Sequence, residues 1–286
     1  MTSGPGARYA VEVFDEPYAH RPGGDLLARV YRPDLAGPLP AAVEIHGGVW
    51  TRGDRMSDVV FCSRLAERGV LVAAVDFRLA PDHPYPAQIA DQNEAIAWLA
   101  RSAARWGGDP TSIGAIGLSS GGHTMLVNAL RPHDPRYRAA AEPTALAYAV
   151  GLFAVVDPYA RYEYARSRDG EHARGLVDRT LSFFRTEEAM REGSPQLILE
   201  RGEQECTPPL LLIHPRADRN VPGPLVERFA AAYRAAGGDV ELHWFDDVAH
   251  GFVRDAGPAT ERAIDLVVRF IDARRRRGNG AAAADP

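Results

Sequence analysis

The sequence predicts an α/β fold: a mostly parallel, doubly wound sheet with an inserted helical lid. Short apolar runs alternate with helical patterns along the chain, and one helix between two runs, 58–68, gives the crossover that parallel pairing needs. Residues 157–206, rich in Tyr, Arg and Glu, are too long for an ordinary connection. We therefore expect an α/β core of residues 1–152 and 207–277, a lid of 153–206 and a disordered tail of 278–286.

Each element of this fold has its own local signal. Two runs separated by a Pro- and Gly-bearing segment, 9–14 and 26–31, predict an antiparallel edge hairpin. Further apolar runs predict strands at 41–46, 70–76, 112–117, 145–150, 209–214 and 240–245. Helical periodicity and stop signals predict helices at 58–68, 87–106, 123–130, 224–236 and 259–275.

Composition narrows the function classes. The chain has 286 residues, 45% of them hydrophobic, which is enough for a sizeable core. A net charge of −5 argues against a nucleic-acid or anionic-membrane partner, and we interpret the arginine run 274–277 as a solvated helix end. Cys62 and Cys206 cannot form a disulfide framework and are predicted to be free thiols.

No membrane span or targeting segment is expected. The first ten residues contain no apolar core of a signal peptide, and no uninterrupted apolar run approaches the length of a transmembrane helix. We therefore expect a cytoplasmic protein that acts on a small molecule, and a homodimer is possible.

Residues 117–122, Gly-Leu-Ser-Ser-Gly-Gly, hold the candidate nucleophile. Ser119 has a glycine two residues away on each side, between a predicted strand and a predicted helix. This is the pattern of a strained turn that exposes a serine hydroxyl and leaves no room for bulky neighbours. Ser120 lacks the preceding glycine, so its expected contribution is its backbone N–H.

Two glycines after the third strand are candidate oxyanion donors. Gly47 and Gly48 lie where a strand ends, and glycine lets backbone N–H groups face a pocket without obstruction. With the N–H of Ser120 they would form an oxyanion hole.

The remaining catalytic candidates follow the last two predicted strands. Asp218 comes after the strand 209–214, and His250 comes after the strand 240–245. A serine hydroxyl needs a base to take its proton, and that base needs a carboxylate to hold its tautomer. The chain order Ser119, Asp218, His250 differs from the orders of chymotrypsin-like and subtilisin-like proteins.

Five motifs together resemble the α/β-hydrolase superfamily, and within it the hormone-sensitive-lipase-like carboxylesterases and acetyl esterases. The resemblance spans residues 27–270 and is weakest in the lid. It implies a triad of Ser119, Asp218 and His250 and hydrolysis of short acyl esters without metal or cofactor. The motifs are His-Gly-Gly at 46–48, Asp-Phe-Arg-Leu-Ala-Pro-Asp-His-Pro-Tyr-Pro at 76–86, Gly-Leu-Ser-Ser-Gly-Gly-His at 117–123, Pro-Pro-Leu-Leu-Leu-Ile-His at 208–214 and Ala-His-Gly-Phe at 249–252.

The chain departs from this family at several positions. Relatives usually have a third glycine where this chain has Val49, often Ala at Ser120 and commonly Gly at Pro215. We expect Val49 and Trp50 to narrow the acyl side of the site, which favours small acyl groups.

Some nearby side chains receive other assignments. We expect Tyr85, like Val49 and Trp50, to contact substrate. The family resemblance and a strand-end position predict that Asp76 and Arg78 form a structural ion pair that braces the loop. His46 and His123 flank the pocket elements without a place in the triad and are predicted to be structural.

The sequence therefore predicts a serine carboxylic-ester hydrolase working through an acyl-enzyme. Amide, formamide or lactone hydrolysis, or a dehydratase reaction, on the same triad stay open as alternatives. A non-catalytic ligand-binding receptor of the same fold is the alternative from another class, and the presence of all three triad residue types argues against it.

Overall fold

One mixed sheet forms the centre of the molecule. The computed structural model describes residues 8–138, 142 and 144–282. Within them eight strands pair in the order β1-β2-β4-β3-β5-β6-β7-β8. The strands are β1 Val11–Ala19, β2 Leu26–Pro33, β3 Leu39–Ile45, β4 Leu71–Val75, β5 Gly108–Leu118, β6 Tyr148–Leu152, β7 Leu210–Pro215 and β8 Val240–Phe245.

The pairing confirms a mostly parallel sheet with an antiparallel hairpin at one edge. β1 pairs antiparallel with β2, and β2 pairs antiparallel with β4. All other neighbours in the sheet, from β4-β3 through to β7-β8, pair parallel. The chain passes from β3 to β4 on one side and then to β5 on the other, so β3 and β5 flank the point where the winding reverses. Ligands bind at the carboxyl ends of strands at such a point.

Helices cover both faces of the sheet. Buried apolar side chains form two clusters, one under α2, α3 and α8 and the other under α1 and α9. This two-faced burial explains why the central strands are continuous apolar runs rather than alternating ones. The helices are α1 Val59–Glu67, α2 Ala87–Ser102, α3 Ser120–Leu130, α4 Pro158–Arg166, α5 Glu171–Phe184, α6 Glu187–Glu192, α7 Pro195–Glu200, α8 Gly223–Ala235 and α9 Pro258–Ala282.

The interval expected to be a lid, residues 153–206, contains α4 to α7. Side-chain caps explain where three of these short helices begin. Asp157 accepts a hydrogen bond from the N–H of Ala160, and Thr186 and Ser194 cap α6 and α7 in the same way. Each cap satisfies an N–H group that has no partner inside the helix.

The C-terminal end differs from the expectation. α9 continues to Ala282, so residues 278–282 of the expected disordered tail are helical, and residues 283–286 lie outside the described residues. Extending an existing helix requires no new nucleation, which is why Gly278 and Gly280 do not end it. Within the described range, no helix is both long enough and apolar enough to cross a membrane.

The predicted ion pair between Asp76 and Arg78 is wrong. Asp76 instead accepts hydrogen bonds from the backbone N–H and the guanidinium of Arg55, at 2.8 and 2.7 Å. Arg78 turns to Asp91 on α2, with its Nε 2.9 Å from Oδ2. The Asp91 side chain is completely buried, and Arg21 bonds to it as well at 3.0 Å. A buried carboxylate needs such partners, whereas sequence proximity gave no information about them.

Trp50 and His123 connect the loop after β3 and helix α3 to the helices of residues 153–206. The indole ring stacks on Phe183 of α5, with ring centroids 5.2 Å apart and planes 2° from parallel. Its Nε1–H donates to Nδ1 of His123 at 3.2 Å. His123 Nε2 is 2.8 Å from the carbonyl oxygen of Gly193, so the neutral imidazole donates there and both ring nitrogens are satisfied.

Replacing Asp91 by Asn should destabilise the fold. The change keeps the shape of the side chain but removes the negative charge that Arg21 and Arg78 share. We expect the unfolding free energy to fall by about 2 kcal/mol. This is less than for a fully buried ion pair, because both arginines are partly exposed. Urea unfolding measures it. Asp82→Asn, at an exposed acid in the loop before α2, is the matched control, and an equal effect of both changes would refute the assignment.

His123 should make the unfolding free energy depend on pH. Burial lowers the pKa of His123 to about 4 from an ordinary 6.5, while the bond to Gly193 opposes that shift. The unfolded chain therefore binds more protons between these values, and stability falls as pH drops through this window. We expect His123→Phe to reduce the slope of unfolding free energy against pH by about one proton there.

Urea unfolding at a series of pH values provides the measurement. The control is His83→Gln, because His83 is an exposed histidine. A slope that is the same in wild type and His123→Phe would contradict the prediction, whatever the change in overall stability.

Candidate active site

Ser119 lies in a sharp turn between β5 and α3. Its backbone has φ 52° and ψ −116°, a conformation that side-chain-bearing residues rarely adopt. The turn is fixed by its backbone: Ser119 N–H donates to Leu152 at 3.0 Å, and its carbonyl accepts from Val155 at 3.1 Å. Strain of this kind persists only where the surroundings determine the geometry.

The two glycines that flank Ser119 are required by close backbone approach. A Cβ on Gly117 would lie 2.6 Å from Cα of Gly122, and one on Gly121 would lie 2.2 Å from the carbonyl oxygen of Ile45. Any side chain at either position would displace backbone. The Gly-x-Ser-x-Gly spacing thus follows from the packing of α3 against the ends of β5 and β3.

The structure brings Ser119, His250 and Asp218 into one hydrogen-bonded chain. Ser119 Oγ is 2.8 Å from His250 Nε2, and Asp218 Oδ2 is 2.8 Å from His250 Nδ1. Because a carboxylate only accepts, the proton of a neutral imidazole lies on Nδ1 and the serine hydroxyl donates to Nε2. The ring of Phe153, directly after β6, lies 4.8 Å from the imidazole.

Asp218 is held as a buried anion. Its side chain is fully buried, and Oδ1 accepts the backbone N–H groups of Asn220 and Val221 at 2.7 and 3.0 Å. Burial alone raises the pKa of Asp218, but the hydrogen bond and charge of His250, with the Val221 N–H, outweigh it and bring the pKa below its ordinary value. The carboxylate is therefore ionised at neutral pH.

His214 packs beside Asp218 and bonds to the turn that holds it. It is 1% exposed, and its Nε2 lies 2.9 Å from the carbonyl oxygen of Val221, in the turn that also bonds Asp218. Burial lowers the pKa of His214, so the ring stays neutral and donates to that carbonyl. Phe153 and His214 are site neighbours that sequence analysis missed, although His214 ends the predicted strand 209–214 and Phe153 lies shortly after the predicted strand 145–150.

Gly47 and Ser120 lie beside Ser119, and Gly48 is the next residue of the loop after β3. A Cβ on Gly47 would be 3.1 Å from Cβ of Ser119, so the loop after β3 passes directly beside the serine. Among the described residues, neither Gly47 nor Gly48 donates its N–H to an acceptor. The N–H of Ser120 is in the first turn of α3, where helical partners are absent. These free donors are suited to a developing negative charge.

The loop is tied to the elbow through Ser120 and Trp50. Ser120 Oγ accepts the backbone N–H of Trp50 at 3.3 Å, which fixes the distance between the glycine loop and α3. Val49 and Trp50 have φ values of 54° and 63°, unusual for a branched and a bulky residue. The hydroxyl of Ser120 thus braces the loop.

The side chains of Trp50 and Tyr85 differ from the expectation of substrate contact. The indole of Trp50 is 1% exposed and packs in the core against the lid. The hydroxyl of Tyr85 bonds to Tyr137 at 2.5 Å and to Glu192, and its ring packs against Phe184. Both side chains already have a complete set of structural partners, whereas Val49 is only half-buried.

Other reactive groups in the part of the chain that the structure describes make no hydrogen bond to the three side chains Ser119, His250 and Asp218. Within the described range, no group of three or more His, Cys, Asp or Glu side chains could hold a metal ion. Cys62 and Cys206 are free thiols. His46 is buried with its ring stacked on Phe77 at 4.2 Å, and burial lowers the pKa of His46 to about 4.

The chain is similar to several esterases. It is 32% identical over 247 residues to esterase LipC and 31% identical over 253 residues to esterase LipQ, both of Mycobacterium tuberculosis. These alignments cover 82% of the chain in each case, but only 58% and 55% of the relatives, so the chain spans just over half their length.

Solved structures agree in fold. Esterase Est2 of Thermogutta terrifontis with bound propionate superposes with a TM-score of 0.72 at 26% identity, over 92% of this chain and 94% of that one. The sheet and helices are thus those of the α/β-hydrolase fold. The family model named BD-FAE matches residues 29–232, most of the chain, and the chain therefore belongs to the BD-FAE family.

Proposed function

We propose that this chain is a serine carboxylic-ester hydrolase that acts on short acyl esters through an acyl-enzyme. The observation that carries the proposal is the continuous chain from Ser119 through His250 to Asp218, with both hydrogen bonds at 2.8 Å. Relatives named as esterases support it, and Est2 has been solved phosphonylated by sarin, as expected of an enzyme with an activated nucleophile.

Acylation follows from the positions of the three side chains. His250 Nε2 removes the proton of Ser119 as Oγ bonds to the carbonyl carbon, and the carbonyl π electrons move to its oxygen. The N–H groups of Gly47, Gly48 and Ser120 stabilise that oxyanion, and one such donor typically contributes about 10²–10³ in rate. The carbonyl re-forms, the bond to the leaving oxygen breaks, and His250 gives its proton to the alcohol.

Deacylation repeats these steps with water. His250 takes a proton from water, the hydroxide bonds to the acyl carbon, and the Ser119 oxygen leaves with the proton from His250. Asp218 holds Nδ1–H of the imidazole and stabilises the imidazolium through both halves. The products are a carboxylic acid and the regenerated serine.

Short acyl groups are the expected substrates for two reasons. Est2, which shares the fold over most of this chain, has been solved with propionate and with butyrate. The glycine loop also carries a half-buried branched side chain at Val49, where hormone-sensitive-lipase-like enzymes usually have a third glycine, and we expect it to narrow the acyl side of the site.

Removing the nucleophile tests the proposal. Ser119→Ala should lower kcat for a p-nitrophenyl short-chain ester by about 10⁴–10⁶ and abolish labelling by a fluorophosphonate probe. Ser167→Ala, which removes an exposed lid hydroxyl, is the matched control and should retain both signals. Activity of Ser119→Ala within tenfold of wild type would end the proposal.

A second test asks which carboxylate orients the base. Asp218→Asn removes the buried partner of His250 Nδ1 and should lower kcat by about 10⁴, as in a serine protease. Asp246→Asn is the control, because Asp246 is 69% exposed and pairs with Arg216. We expect it to change kcat little. A near-normal Asp218→Asn enzyme beside an inactive Asp246→Asn enzyme would reverse the assignment.

A further inference from the structure

A guanidinium outside the triad lies on the nucleophile's side of the glycine loop. A Cβ on Gly47 would be 3.6 Å from Nη2 of Arg254, and the same Cβ would be 3.1 Å from Cβ of Ser119. Arg254 and Ser119 therefore face the same space from Gly47. The distance from Arg254 Nη2 to Ser119 Cβ can therefore be no greater than the sum of these two distances. A small substrate is long enough to contact both residues at once.

Arg254 is positioned by the same segment that carries the base. A 3-10 turn, Phe252–Arg254, follows His250 after one residue, and the Arg254 N–H donates to the carbonyl of Gly251 at 3.1 Å. The Nε of Arg254 donates to Oδ1 of Asp58 at 3.3 Å, and the Asp58 side chain is completely buried. One edge of the guanidinium is thus anchored, and its place relative to the triad is fixed.

The other edge is open. Within the described part of the chain, Nη1 and Nη2 of Arg254 have no hydrogen-bond acceptor, and the side chain is 47% exposed. Arg78, in contrast, uses both Nε and Nη2 on Asp91. A guanidinium with free Nη groups matches a carboxylate, which accepts two parallel hydrogen bonds.

A second cation lies beside the same loop. The Cγ of Arg52 would be 3.2 Å from a Cβ on Gly48, and Arg52 is exposed. Arg254, whose Nη groups are free beside Gly47, and the exposed Arg52 further along the same loop favour a negatively charged ligand here.

We propose that Arg254 binds a carboxylate on the substrate, so that the preferred substrates are esters whose acyl part ends in a carboxylate, such as half-esters of short dicarboxylic acids. This rests on the proposed ester hydrolysis and specifies its substrate class. The free Nη groups of Arg254 receive the carboxylate while the scissile carbonyl lies at Ser119. Arg254 thereby determines specificity and takes no part in the bond-breaking steps.

The test compares two substrates of nearly equal shape. Monoethyl succinate carries a carboxylate where ethyl 4-oxopentanoate carries a neutral methyl ketone. In wild type at low salt we expect kcat/KM for the anion to exceed that for the ketone by about tenfold, the effect of one charge-assisted hydrogen bond. The ratio should shrink as salt is added, because the guanidinium is partly exposed.

Variants of Arg254 then assign the preference. Arg254→Gln should lower the ratio about tenfold, and Arg254→Lys, which keeps the charge without the planar fork, should lower it less. The ratio cancels any effect on the triad that is common to both substrates. Arg166→Gln is the matched control, because the Arg166 side chain is 52% exposed and lies on the lid helix α4. The proposal is overturned if the wild-type enzyme shows no preference between the two esters. It is also overturned if Arg254→Gln leaves the kcat/KM ratio unchanged.

Binding without turnover separates this proposal from ester hydrolysis itself. Calorimetry on Ser119→Ala, with and without Arg254→Gln, gives the affinities for the same two esters. Tighter binding of the anion that depends on Arg254 supports the carboxylate site even if no ester is hydrolysed. Equal affinities for both esters overturn it even if hydrolysis is efficient.

Discussion

The close contact between α3 and the end of β3 is the constraint on which the site depends. Ile45 pairs with Gly117 at the last position of the parallel β3–β5 register, so the two chains leave the sheet side by side. Gly121 then passes so near the carbonyls of Ile45 and His46 that a Cβ would lie 2.2 and 2.3 Å from them. This approach places the glycine loop beside Ser119 and sets the distance between the proposed nucleophile and the proposed oxyanion donors.

The strained loop after β3 is stabilised by hydrogen bonds to the Trp50 carbonyl and by ring contacts to its indole. The Trp50 carbonyl accepts from Gln88 Nε2 at 2.6 Å and from the backbone of Ala80 at 3.1 Å. Its indole is clamped between His123 and Phe183. A left-handed residue of this size costs about 1–3 kcal/mol, so the strain persists because these contacts offset it. Trp50 therefore acts on the site through its backbone, and its side chain connects that backbone to α5.

Much of the fold was predictable because its signals are local. The apolar runs predicted all eight strands of the described chain. Central strands such as β4 and β6 are buried on both faces, which leaves a continuous apolar pattern. Ser119, Asp218 and His250 could be found from strand ends and chain order, because the fold puts those ends at one edge. The partner of Arg78 could not, because Asp91 is on a helix whose orientation depends on tertiary packing.

The side chains of Trp50 and Tyr85 show a second limit. Their positions in sequence beside the site suggested substrate contact, yet the direction of a side chain after a turn depends on φ. At Trp50 the left-handed backbone sends the indole into the core. Arg254 is the opposite case, a residue beside the site that the sequence did not indicate. Its orientation depends on the carboxylate of Asp58, which is distant in sequence.

The buried acids behind the glycine loop explain why Arg254 has a fixed direction. Burial raises the pKa of Glu44 well above its ordinary value, with repulsion from Asp58 adding to the effect. Burial also raises the pKa of Asp58, but the charge and hydrogen bond of Arg254 oppose that rise. Arg254 opposes the rise in pKa at both acids through its charge, and at Asp58 through a hydrogen bond as well. A buried anion is costly without a partner, so the fold holds the Nε edge of Arg254 against it and leaves the Nη edge facing the space shared with Ser119.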